Sequence, residues 1–125
     1  MTLLWTKSIV LLYSDIQSAK QWWIQVFGCK QAELPEWDNP LPSDIALQPP
    51  GTDEPNILLS SREEHRQAGL AMPDRPILFC NTLEKVHRQL LEAGAAPGSM
   101  QDGGDTTYFE VHDLEGNVIE ICKEP

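Results

Sequence analysis

Basic residues are scarce in this chain. Nine lysines and arginines stand against nineteen aspartates and glutamates, a formal net charge of −10, and such a surface repels phosphate backbones and anionic lipid headgroups over about a Debye length. No nucleic-acid partner is expected; the acidity reads as a solubility device or, more narrowly, as selection for a cationic ligand. Long apolar runs are missing too. None approaches the roughly 20 residues that cross a bilayer, so no membrane partner is expected. Residues 1–13 hold one lysine and a short apolar stretch with no small-residue cleavage site; they read as a strand rather than a secretory signal, and a cytoplasmic location is expected. Cysteine is sparse: Cys29, Cys80 and Cys122 are odd in number and lie far apart, without the paired spacing of a zinc or redox motif. Reduced, buried thiols are expected, since nothing in the sequence supplies a cation or helix N-terminus to activate one as a nucleophile.

What is present suits one ordinary globular unit. The 125 residues are 41% hydrophobic and include four tryptophans, enough to bury a core. Residues 8–13 (SIVLLY) are apolar and β-branched and predict a strand, ending at the cap signal Ser14 and Asp15. From Ile16 the period changes: Ile16, Ala19, Trp23, Val26 and Phe27 recur at helical spacing, and Gly28 follows where a left-handed cap is expected. Trp22 and Trp23 lie in this helix and are expected to pack in the core.

The same grammar returns downstream. Residues 76–80 (PILFC) predict a strand; Asn81 and Thr82 offer a cap, with Glu84 three residues after Asn81; Leu83, Val86, Leu90 and Ala93 form a stripe; and Gly94 ends it, 66 residues after Gly28. A hairpin signal at 101–105 (QDGGD), a strand over 106–111, a turn at 113–117 and a last strand over 118–122 complete the second copy. In the first copy the strands at 44–48 and 56–60 lie among Pro40, Pro42, Pro49, Pro50 and Pro55. Each half therefore reads as a strand, a helix and about three further strands, with a linker over 62–75. A half-domain of about 60 residues buries apolar surface poorly alone, which gives the two halves a reason to pair.

The Ser-Asp step into a helix with aromatic residues before a glycine, and the closing Asp113, Gly116, Asn117 and Glu120 within HDLEGNVIEI, resemble the glyoxalase, bleomycin-resistance and extradiol-dioxygenase superfamily of vicinal-oxygen-chelate proteins. Leu114 stands where proline is usual. The resemblance spans nearly the whole chain and is weakest between Glu36 and Asn56. It implies an α+β fold of two βαβββ modules whose curved mixed sheets surround a cavity: a single glyoxalase-like domain with module one at about 1–61, a linker at about 62–75 and module two at about 76–125. It also implies a homodimer.

Metal-using relatives place histidine, glutamine or glutamate on the first and last strands of each module, and such ions need three or four convergent donors. Here the corresponding opening positions fall at Ser8 and at Pro76, or at Arg75 if the strand slips by one. The first closing strand has no carboxylate or histidine, and only Glu120 survives. His65, His87 and His112 are expected to serve at the surface or in packing, with His112 nearest a cavity rim. No cofactor is expected, and a divalent metal in a rewired site is the disfavoured alternative.

Strand alternation then nominates cavity-lining residues: Val10 and Leu12 with Ser8, Leu78 with Pro76, Tyr108 with Glu110, and Glu120 with Val118 and Cys122. Glu120 reads either as a solvated or paired acid, as a hydrogen-bond acceptor for ligand, or as a general base. Trp37 reads as a lid over the ligand or as packing; Trp5 reads as a subunit contact. Gly103 and Gly104, flanked by Asp102 and Asp105 and followed by no helix, read as a turn rather than a phosphate site. The leading expectation is a protein that binds a small apolar or partly cationic molecule without a catalytic metal. The alternative is a lyase, isomerase or dioxygenase with a divergent metal site or with Glu120 as base.

Overall fold

The computed structural model describes residues 4–34 and 40–124. The first strand, β1 (Ile9–Tyr13), leads into helix α1 (Ile16–Phe27). Asp15 caps that helix through its carboxylate, which accepts from the Ser18 amide at 3.1 Å and the Ser18 hydroxyl at 2.8 Å. Gly28 ends it at φ 71 and returns its N–H to the Ile24 carbonyl, a backbone shape that a side chain would oppose. Strands β2 (Lys30–Ala32), β3 (Ile45–Gln48) and β4 (Ile57–Ser61) follow. They form a sheet of order β1-β4-β3-β2, in which β1 and β4 run parallel.

The second half repeats the plan. Strand β5 (Ile77–Cys80), helix α3 (Leu83–Glu92) and strands β6 (Gln101–Asp102), β7 (Thr107–His112) and β8 (Val118–Lys123) give a sheet of order β5-β8-β7-β6, with β5 and β8 parallel. Two βαβββ modules are thus present, as the repeated grammar predicts. Thr82 stands at the start of α3, but its hydroxyl turns to the Asn81 side chain at 3.3 Å and makes no cap bond.

The region between the modules corrects the expectation of a plain linker. Residues Arg62–Gln67 form a helix, α2. It is held by local signals: the Ser61 hydroxyl accepts from the Glu64 amide at 3.2 Å, Glu63 and Glu64 sit in its first turn, and His65 and Arg66 in its last. Those charges suit the helix dipole at both ends. The sequence REEHRQ has no apolar stripe, so periodicity is blind to it.

One face of each sheet packs on its helix. Leu11, Tyr13, Ile45, Leu47, Ile57 and Leu59 meet Ala19, Trp23 and Phe27 of α1, and Leu78, Cys80, Phe109, Val111, Ile119 and Ile121 meet Leu83, Val86 and Leu90 of α3, all in one buried cluster. Trp23 is fully buried and stacks on Phe27 with ring centroids 4.7 Å apart, while Trp22 packs against the cluster from its edge.

The hairpin between β7 and β8 ties the second module to the first. Asp113 is buried; its carboxylate accepts from the Tyr13 hydroxyl at 2.6 Å, from the Glu115 and Asn117 amides at 2.9 and 2.8 Å, and from the Asn117 side-chain amide at 3.0 Å. The Tyr13 oxygen in turn accepts from the Trp23 indole at 2.8 Å. Burial first, and then the Asp113 carboxylate, push the Tyr13 phenol far above its ordinary range, so it serves as a neutral donor. Glu115 accepts from the amides of Ser14 and Asp15 at 2.8 and 2.9 Å. The Asp-Gly-Asn turn is therefore a structural clamp on the start of α1. Its glycine, Gly116, has φ 82, a value that permits the sharp turn.

Candidate functional site

The faces turned away from α1 and α3 differ between the modules. In module one, Leu12, Ala46, Leu58 and Ser60 alternate with the core residues of their strands and are themselves buried. The α1 face is already occupied, and α2, which buries His65, contacts both β1 and β4. Asp44 accepts from the Ser60 hydroxyl at 2.7 Å, so that face holds no unpaired hydroxyl there.

In module two the corresponding face is open. Glu120 of β8 lies opposite Glu110 of β7 in the antiparallel pair and opposite Ile77 of β5 in the parallel pair. Tyr108 lies opposite Cys122. Ile77, Phe79, Tyr108, Glu120 and Cys122 line a cleft of about 900 Å³, a size suited to small-molecule sites. Trp5 braces two of its lining residues: its ring stacks on Phe79 at 4.7 Å, its backbone pairs with Phe79 in both directions, and its indole N–H donates to Glu124 at 2.7 Å. A second cavity of about 500 Å³ adjoins the first, sharing Ile77 and Phe79, and is lined also by Lys7, Ser8, Val10 and Arg75.

The nominated residues divide accordingly. Tyr108 and Glu120 line the larger cleft, Ser8 and Val10 the smaller, and Pro76 neither. Glu110 is half-buried and forms an ion pair with Arg75. Leu12 has the predicted facing but is covered. Leu78 is a correction. It is 1% exposed and belongs to the helix-facing core, because β5 begins at Ile77 and the cleft face is set by Arg75, Ile77 and Phe79. Pro76 spends its carbonyl on the Glu120 amide at 3.0 Å; counting the alternation from it inverts the strand. Counting back from Thr82, as from Asp15 in module one, lands on Arg75 and finds the facing that reading missed. Trp37 lies outside the described residues.

Among the histidines, His87 faces packing, with its Nε2 2.8 Å from the Gly98 carbonyl and its ring edge-on to Phe109. His65 is buried on α2 and His112 is exposed on β7. The cysteines are free and buried. Burial, then the Glu120 charge, push the Cys122 thiol up to about 11, while Arg75 pulls the other way; Cys80 rises to about 11 and Cys29 to about 12, again chiefly through burial. A thiol so raised is a poor nucleophile near neutrality. That Cys122 feels both Glu120 and Arg75 puts those groups on one wall.

The donor set does not fit a divalent ion. Leu58 takes the place in β4 that Glu120 takes in β8, each opposite a cavity-facing residue of the parallel opening strand, Val10 or Ile77. The opening positions supply a serine hydroxyl and a guanidinium, and a fixed cation such as Arg75 repels a metal. Among the described residues, no three or more His, Cys, Asp or Glu side chains gather as ligands. No helix among the described residues is long and apolar enough to cross a membrane.

No protein-family model and no curated protein matches the chain. Solved structures do. A member of the glyoxalase/bleomycin resistance protein/dioxygenase superfamily from Sphaerobacter thermophilus superposes with a TM-score of 0.73 at 15% identity, covering 96% of this chain and 97% of that one. A glyoxalase-related enzyme from Clostridium phytofermentans gives 0.66 at 9% identity over 97% and 95%. A glyoxalase/bleomycin resistance protein/dioxygenase from Nocardioides gives 0.66 at 13% identity over 94% and 81%. The fold is that of this superfamily.

Proposed function

We propose that this chain, a glyoxalase-type fold, binds a small molecule with an apolar, ring-bearing body and a cationic group, and does so in the module-two cleft without a catalytic metal. The observation that carries the reading is Glu120, a carboxylate half-buried in a cleft that Ile77, Phe79 and Tyr108 also line. Apolar walls remove water from the ligand body, and aromatic faces attract cations. In the half-dry cleft a carboxylate gains a charge-assisted contact that bulk water would screen. The net charge of −10 adds a long-range pull of the same sign.

Calorimetric titration with benzyltrimethylammonium and its neutral isostere neopentylbenzene tests this reading. The cation is expected to bind the native chain more tightly, and Glu120→Gln to reduce its affinity about tenfold. Equal binding of the two probes, or indifference to Glu120→Gln, overturns it. An enzymatic reading with Glu120 as general base requires turnover that Glu120→Gln abolishes; binding without turnover across a panel of hemithioacetals and catechols favours the sequestering role. We further propose a homodimer, which light scattering at micromolar concentration reads directly, a monomer mass refuting it.

A further inference from the structure

We propose that the ligand is a zwitterion lying across both cavities, with its apolar body on Ile77 and Phe79, its cation at Glu120 and Glu110, and its anion, a carboxylate or similar oxyanion, at Arg75 and Lys7. The inference rests on the reading of the Glu120 cleft given above and adds the second half of the ligand.

Three observations lead to it. First, the two cavities are not separate sites. Ile77 and Phe79 belong to both, so one molecule resting on these side chains enters both lobes. Second, the lobes have opposite polarity. Asp105, Glu120 and Glu124 line the larger against the single base Lys123, whereas Lys7 and Arg75 line the smaller against the single acid Asp74. In a chain with only nine basic residues, two beside one small cavity make a local reversal of the surrounding field.

Third, Arg75, which lines the smaller cavity, is paired with Glu110 of β7, the cross-strand neighbour of Glu120. Arg75 Nη2 engages Glu110, and the two side chains are 50% and 38% exposed. A pair that wet contributes little, so a ligand carboxylate competes with Glu110 at small cost. A guanidinium also accepts a carboxylate in a two-pronged fork. Displacing Glu110 alone would leave it opposite Glu120, two like charges directly across an antiparallel pair, which is unfavourable. A cationic group on the same ligand removes that penalty by sitting between the two carboxylates. A simple cation must instead share Glu110 with Arg75, and a simple anion strands both acids. Only a molecule bearing both charges satisfies all three groups.

Three probes with one ring distinguish the cases by calorimetry: 4-(aminomethyl)phenylacetate, its methyl ester, which is a cation only, and 4-methylphenylacetate, an anion only. The zwitterion is expected to bind about tenfold more tightly than the ester, the value of one charge-assisted contact. Arg75→Gln is expected to erase that preference and, by freeing Glu110, to strengthen ester binding, with a thermal melt confirming the fold. Glu110→Gln frees Arg75 and is expected to raise the affinity of the anion-only probe. Equal binding of zwitterion and ester to the native chain, or a preference that survives Arg75→Gln, overturns the inference while the cationic reading of Glu120 stands. Failure of both zwitterion and ester to bind overturns the two together.

Discussion

The two modules share one topology and differ in what occupies their hollows. In module one the second face of the sheet is buried, and the residue at the decisive place on the closing strand is Leu58, beside Leu12 and Ala46. In module two the equivalent place carries Glu120, half-buried at the wall of a cleft. A duplicated unit has thus diverged: one copy turns its second face into additional core, the other leaves that face lining an open cleft. The side-chain chemistry follows from the covering, since an acid is tolerated where water reaches it and is costly where it does not.

Exchanging the two residues gives the largest expected effect. Leu58→Glu places an unpaired carboxylate at a buried position and is expected to destabilise the fold by about 3 kcal/mol or more, whereas Glu120→Leu leaves the melting temperature unchanged or raises it. Chemical denaturation of both variants checks this; equal losses would erase the distinction between the hollows. Next comes the clamp through which module two supports module one. Asp113→Ala leaves the buried Tyr13 hydroxyl without its acceptor and frees the turn amides, a loss of about 2 kcal/mol, and should expose Trp23 to quenchers although it lies in the other module. Unchanged quenching would mean that the modules are coupled only by apolar contact.

The smallest effect concerns pH. Cys29, Cys80 and Cys122 have thiols raised by burial from 9.0 to about 11 or 12. The unfolded chain loses these protons first as pH rises, so the fold is favoured below about 9 and this contribution is lost progressively from there towards 11 to 12. Denaturation midpoints across that window should fall, and replacing Cys29 by Ala or Ser should flatten the curve. The module comparison predicts that Cys29, in module one, contributes more than Cys122 at the open cleft.

Much of this architecture was legible in residue order. Helix α1 matches its apolar stripe from Ile16 to Phe27 because a helix buried on one side must repeat at that period, and Gly28 marks its end by backbone freedom. Glu120 and Tyr108 could be placed at the cleft because β7 and β8 are regular and paired through their whole length. Legibility failed where local rules compete. Pro76 looks like a strand residue yet only supplies a carbonyl to Glu120, and starting the alternation there turned Leu78 outward on paper. Helix α2 is made by capping and charge order, signals that no apolar pattern reports. Lys7 and Arg75 meet at one cavity only through the packing of the two opening strands, which residue order does not reveal.

The hydrogen bond from Tyr13 to Asp113 joins groups 100 residues apart, and this carries a consequence for synthesis. As the chain leaves the ribosome, the first module emerges complete while its buried hydroxyl and the amides opening its first helix still lack their acceptors. Those acceptors arrive only with the final hairpin. Module one should therefore linger as a loosely packed intermediate, protected by chaperones or by its own acidity, until the second half is made and locks it.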